Sequence, residues 1–247
     1  MVAETADELE AMGCRVLAKA GASVEYAAVV AQHLMRANAS GVHSHGVVHL
    51  PGYVRDIKQG LLQPTAIPTG RSVGPSSVLV DGHWGFGQVA ALDALDRAMD
   101  LADSAGTAAG LVACHHLGRL GHYAELAADR GYASLIRVGG SSEEDPHAAP
   151  YRGRKRLLGT SPVAFRFRGG QTNAVTYDFA TMTVADMKLV TTRDRTDRPR
   201  LRPRQVGSPL AVDGYLEIVG RLLDSDLPES DIKLMTSRNP ARLIGLS

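Results

Sequence analysis

Residues 41–50, GVHSHGVVHL, bring His43, His45 and His49 within seven residues, with Gly41 and Gly46 among them. Imidazoles at this density serve as metal ligands or as proton carriers, because the neutral ring binds cations and the free group titrates near pH 6.5. His45 and His49 stand four apart, the interval that places two zinc ligands on one helix face in HExxH. Against a metal, no Asp or Glu occurs from Ser40 to Tyr53, and Gly46 with Pro51 opposes one continuous helix. Ser44 adjoins His45 and offers a hydroxyl that orients or relays to the ring, which favours acid/base work over a metal site or a plain surface cluster.

A second group, CHHLGRLGHY at 114–123, sets His115, His116 and His122 beside Gly118 and Gly121, directly after an apolar segment. Strand ends that run through glycine loops into helices are where α/β proteins place anionic ligands, since backbone amides and the helix N-terminus face them. The spacing is neither GxGxxG nor a Walker A motif, so phosphate or nicotinamide ribose and simple loop histidines both remain open. In a third group, Gly159, Thr160 and Ser161 form a small-residue loop suited to close ligand approach, and Asp178 ends an apolar strand. That carboxylate either polarises a histidine or caps whatever follows it.

These groups need elements to hold them. Residues 5–21 read as a helix with Leu9, Met12, Val16 and Leu17 on one face and Gly21 as its stop. Ser23 reads as the N-cap of a second helix, with Ala27, Val30, Ala31, Leu34 and Met35 as its apolar stripe. A third follows the opening motif, with Leu50, Tyr53, Val54 and Ile57 on one face and Pro51 in its first turn. From about residue 65 strands and helices alternate: strands at 76–82, 107–114, 132–140, 161–169 and 173–180, and helices at 88–106 and 122–131. Residues 191–205 hold six arginines among prolines and read as a solvated linker, followed by two amphipathic helices.

The chain has 247 residues, 44% hydrophobic content and a formal net charge of +1, so no global field draws it to nucleic acid or membrane. Cys14 and Cys114 form no CxxC pair and read as reduced, buried thiols. The start lacks the pattern of a signal peptide, and no stretch reaches the roughly 18 apolar residues of a membrane span, so a cytoplasmic location is expected.

Taken in order, ANASGVHSHGVVHLPGYV, VDGHWGFGQVAALDAL, HHLGRLGHYAELAADRG, LLGTSPVAF and DFAT make the chain resemble the malate/L-lactate dehydrogenase family of the second type. These are non-Rossmann NAD(P)-dependent 2-hydroxyacid and ureidoglycolate dehydrogenases and cyclic imino acid reductases. The resemblance covers residues 5 to about 190. It implies an α/β fold: an N-terminal helical part (1–68), a cofactor-binding domain (69–190) with a mixed, largely antiparallel central sheet flanked by helices, and a linker with a helical tail (191–247). A homodimer is implied, with the cleft between subunits.

The implied reaction is hydride transfer between NAD or NADP and C2 of a small 2-hydroxy or 2-oxo acid. His45 would exchange the proton at the substrate oxygen, with Ser44 and Asp178 as relay partners; in some members His116 takes that role. His49 and Tyr53 would bind substrate, and His116, Leu117, Gly118, Gly159, Thr160, Ser161, Asp178, Phe179 and Ala180 the cofactor; no metal is expected.

Three positions depart from the family. His49 stands where an arginine usually clamps the substrate carboxylate, Ser161 replaces the asparagine of GTNP, and Met182 replaces the serine of DxATS. Family members also run longer, with an HKG segment that does not appear after Lys188. The ending LPESDIKLMTSRNPARLIGL instead resembles the last helices of amidohydrolase-type barrels, without their metal ligands. A remnant that binds without turnover, or a metal-dependent hydrolase, are therefore the competing readings.

Overall fold

The computed structural model describes residues 5–139, 159–167 and 175–181. The chain divides into two compact units, and the described residues of the first are 5–139, 161–167 and 175–180. Of the second, the described residues are Gly159, Thr160 and Thr181. The expected linker and tail helices beyond residue 190, and Met182, lie outside the described residues.

The first unit opens with helices α1 (Ala6–Lys19), α2 (Val24–Ala39) and α3 (Leu50–Lys58). Helix α1 starts on a capping box in which Thr5 and Glu8 each satisfy the other's backbone N–H, and Ser23 caps α2 through Tyr26 N–H at 3.1 Å. Gly13 lets α1 approach α2 closely, since a Cβ there would stand 3.1 Å from that of Ala31. Their apolar faces meet in a core of Leu17, Val30, Leu34, Leu50, Tyr53, Leu62 and Phe86. Full burial of a leucine such as Leu34 contributes about 2–3 kcal/mol.

Six strands follow: β1 (Thr69–Gly74), β2 (Ser77–Asp81), β3 (Ala109–Ala113), β4 (Ser134–Arg137), β5 (Val163–Phe167) and β6 (Val175–Phe179). They are shared between two sheets, β1-β2-β3 and β4-β5-β6. The β2–β3 pair is parallel, joined by helix α4 (Gly87–Ala105), and the other three pairs are antiparallel, so the mixed, largely antiparallel character stands as expected. Strand β1 carries no apolar alternation and had no signal in the sequence; pairing with β2 makes it a strand. Helix α5 (Leu120–Asp129) packs Leu120 and Tyr123 against Ala164 of β5, with Leu92 and Leu95 of α4 at the edge.

The cysteines are free and half-buried, rather than buried as the sequence suggested. Burial nevertheless pushes the Cys114 thiol up to about 12. No helix among the described residues is long and apolar enough to cross a membrane.

Candidate active site

The GVHSHGVVHL segment folds as two 3-10 turns, His43–His45 and Val47–His49, with Gly46 between them in extended backbone. Asn38, at the end of α2, organises both turns. Its Oδ1 accepts the Val47 N–H at 2.9 Å and its Nδ2 lies 3.0 Å from His43 Nδ1. A Cβ at position 46 would fall 1.8 Å from that Oδ1, so a side chain there would displace the Asn38 carboxamide.

Two further elements bring His45, His49, Tyr53 and His116 together. Tyr53 rises from α3, whose first turn holds Pro51, and His116 comes from the loop between β3 and α5. Ring centroids of His49 and His116 stand 4.4 Å apart, and those of His45 and His116 6.1 Å apart with planes 25° from parallel. Ser44 Oγ lies 3.2 Å from His45 Nδ1, as its adjacency suggested. His49 Nε2 donates to the Ser44 carbonyl at 2.9 Å. Tyr53 Oη and His116 Nδ1 are 2.8 Å apart, and Gln88 Nε2 donates to the same hydroxyl at 2.8 Å. Burial, with His49 and His45 beside it, holds the His116 imidazole well below the ordinary histidine range, so it stays neutral. His43 sits apart, on Asn38.

His115 turns away from this group to Asp56, with Nε2 3.4 Å from Oδ2. Burial lowers its pKa and Asp56 opposes that shift. His122 pairs with a residue no motif had flagged: its Nδ1 is 2.9 Å from Nδ1 of His33, whose Nε2 accepts the Arg119 backbone N–H at 2.9 Å. Gly118, at φ +76, makes room for this, since a Cβ there would lie 2.4 Å from His33 Nε2. Its neighbour Leu117 packs at the edge of the Leu120 and Tyr123 cluster and accepts the Tyr123 hydroxyl through its carbonyl at 2.5 Å. The visible hint of His33 was a polar residue inside the apolar stripe of α2; that of Gln88, a polar side chain in the first turn of α4 facing the core.

Asp178 takes a role that its sequence position did not offer. Its carboxylate accepts the Gly121 N–H at 2.7 Å and lies 3.8 Å from Arg119 Nε, so it caps α5 from across the fold, and among the described residues it bonds to no imidazole. A strand end delivered to another helix's N-terminus is a tertiary cap, which the local sequence cannot announce. Burial raises its pKa, opposed by the Gly121 N–H and Arg119. Arg119 is itself held by Glu125 at 2.6 Å. After Asp178, Phe179 is exposed and Ala180 half-buried. In the second unit the Thr181 hydroxyl donates to the Thr160 carbonyl at 3.2 Å, and Gly159 precedes Thr160 in the chain.

A model of the malate/L-lactate dehydrogenase family matches residues 5–198. The chain belongs to the malate/L-lactate dehydrogenase family. Hydroxycarboxylate dehydrogenase B of Escherichia coli is 36% identical over 171 residues, covering 69% of this chain and 47% of that protein. The ureidoglycolate dehydrogenase (NAD(+)) of the same organism is 31% identical over 180 residues, 72% of this chain and 50% of its own. The crystal structure of delta1-piperideine-2-carboxylate reductase from Pseudomonas syringae superposes with a TM-score of 0.71 at 29% identity, covering 81% of this chain and 59% of that one. The chain thus spans about half the length of the curated relatives it matches.

Within this family frame, the Ser161 departure gains a physical meaning. Ser161 holds φ +43, a left-handed conformation that asparagine adopts several times more readily than other side chains bearing a Cβ. His49, where the resemblance implies an arginine, has its Nε2 committed to the Ser44 carbonyl.

Proposed function

We propose that the chain works as an oxidoreductase exchanging a hydride between NAD or NADP and C2 of a small 2-hydroxy or 2-oxo acid of the malate, lactate or ureidoglycolate kind. The observation that carries this reading is the approach of His45 and His116, 6.1 Å between ring centroids, with Ser44 Oγ beside His45 Nδ1. Oxidation of an alcohol carbon requires that the hydroxyl proton leave with the hydride, so a positioned imidazole is the base the reaction needs.

The donor set fits a nicotinamide cofactor. A neutral imidazole with one nitrogen bonded to Tyr53 supplies proton management without redox chemistry of its own, and the loop carrying it ends at the N-terminus of α5. When bound, such a cofactor supplies the hydride donor or acceptor. His45 is the proposed proton carrier at the substrate oxygen, with Ser44 orienting its ring; Asp178 acts at one remove, through the α5 N-terminus. His49 and Tyr53 would line the substrate side. Leu117, Gly118 and His116 would meet the cofactor, as would Ser161, Phe179 and Ala180.

The same reading includes a homodimer in the cytoplasm and the domain limits at 68/69 and 190/191; the two free thiols, Cys14 and Cys114, suit a reducing compartment. For the competing hydrolase reading, the described residues contain no group of three His, Cys, Asp or Glu side chains placed to hold a metal.

Titration with NADH and with NADPH, followed by nicotinamide fluorescence, is the direct test. Saturable binding of at least one, and its oxidation by a 2-oxo acid, are expected. No binding at millimolar cofactor would sink the enzyme reading, and binding without turnover would favour a family remnant.

A further inference from the structure

Gln88 is fully buried in the first turn of α4, and its carboxamide Nε2 donates to the Tyr53 hydroxyl at 2.8 Å. That hydroxyl lies 2.8 Å from His116 Nδ1, on a tyrosine that is only 2% exposed. A phenol carries one hydrogen. With its oxygen already receiving an N–H from Gln88, the hydrogen is directed to His116, which accepts at Nδ1. The neutral imidazole then carries its proton on Nε2. Turning the carboxamide over would reverse every bond in this chain, making His116 the donor.

The two orientations are not equivalent. As placed, Gln88 leaves Oε1 without a hydrogen bond. Reversal would move the NH2 group, with two donors, into the position where Oε1 now finds no donor. It would also leave the Tyr53 hydroxyl donating to Gln88 and His116 donating to Tyr53, so the orientation that places Nε2 on Tyr53 is the one that makes His116 an acceptor.

We infer that Gln88 is a positioning residue: through the Tyr53 hydroxyl it fixes His116 in the tautomer that accepts at Nδ1 and presents an N–H at Nε2. It is fully buried and acts on the site through the Tyr53 hydroxyl; it decides which nitrogen of His116 can donate and which is already committed. The consequence for catalysis rests on the oxidoreductase reading above, whereas the tautomer itself does not.

Nitrogen NMR of the full chain labelled on histidine tests this without turnover, with the His116 signals assigned by their loss in H116Q. The wild type should show His116 Nδ1 unprotonated and Nε2 protonated at neutral pH; a protonated Nδ1 overturns the inference. In Q88M, matched in length and unable to donate, the Nδ1 signal should move toward tautomer averaging. Unchanged shifts would mean that Tyr53 alone sets the state, and would also overturn it. Q88E, once ionised, accepts from Tyr53 and should drive His116 toward the Nδ1–H form, which keeps the test decisive if Q88M does not fold. Failure of cofactor binding in the wild type would count against the oxidoreductase reading and leave the tautomer result standing.

Discussion

Nδ1 of His33 lies 2.9 Å from Nδ1 of His122, across 89 residues of sequence, in a buried contact. Two ring nitrogens at that distance need one proton between them, and the Arg119 N–H already occupies Nε2 of His33. His33 therefore donates from Nδ1 and stays neutral. Burial first, then His122 and Arg119, lower its pKa to about 3, and burial with Arg36 lowers that of His122 to about 4.

Because these folded values lie below the unfolded ones, the unfolded chain binds more protons in acid. The stabilisation is complete above the unfolded pKa of about 6.5 and is lost as pH falls toward 4 and then 3. From pH 6.5 to 5, His33 alone should cost about 2 kcal/mol at 1.36 kcal/mol per unit. Denaturant melts at pH 7 and 5 measure this, with His33→Gln expected to flatten the difference. Equal stability of the wild type at both values would refute it.

His45→Ala should reduce kcat by about 10²–10⁴-fold, the usual weight of a general base, with cofactor affinity nearly intact. Steady-state kinetics beside the fluorescence titration separate the two. Parallel loss of both would place the proton carrier elsewhere, with His116 next in line.

His49→Arg should lower KM for carboxylate substrates above pH 7. A neutral imidazole gives one hydrogen bond where a guanidinium gives a charged fork, and here Nε2 is already spent on the Ser44 carbonyl. An unchanged KM across a panel of 2-oxo acids would reject a clamp at this position.

Gly46→Ala forces Asn38 aside, because the new Cβ would overlap its Oδ1. The Val47 N–H then loses its acceptor, a cost of about 1–3 kcal/mol for a group left unsatisfied. Thermal melts should show the loss, and activity should fall with it as the two histidine turns shift. A variant as stable and active as the wild type would mean that Asn38 does not hold them.

Ser161→Asn should stabilise the fold, as a residue better suited to positive φ. The reading is a rise in Tm; a fall would show that the serine hydroxyl matters more than the backbone.

The helices were legible because burial and capping leave periodic marks. The stripe of Val30, Leu34 and Met35 and the cap at Ser23 return as expected, and apolar runs located β2, β3 and β5. Strand β1 was silent because edge pairing, unlike burial, demands no side-chain pattern. In the site, Ser44 beside His45 was visible because covalent adjacency guarantees proximity.

What the sequence determined by itself was the family, the elements and the identity of the imidazoles, since motif order and periodicity are properties of the chain alone. Only the tertiary structure decided their partners. It sent Asp178 to Gly121 and Arg119, His115 to Asp56, His122 to His33, and Tyr53 with Gln88 to His116. Each is a contact between residues distant in sequence, made when packing closes long loops and buried polar groups must find one another.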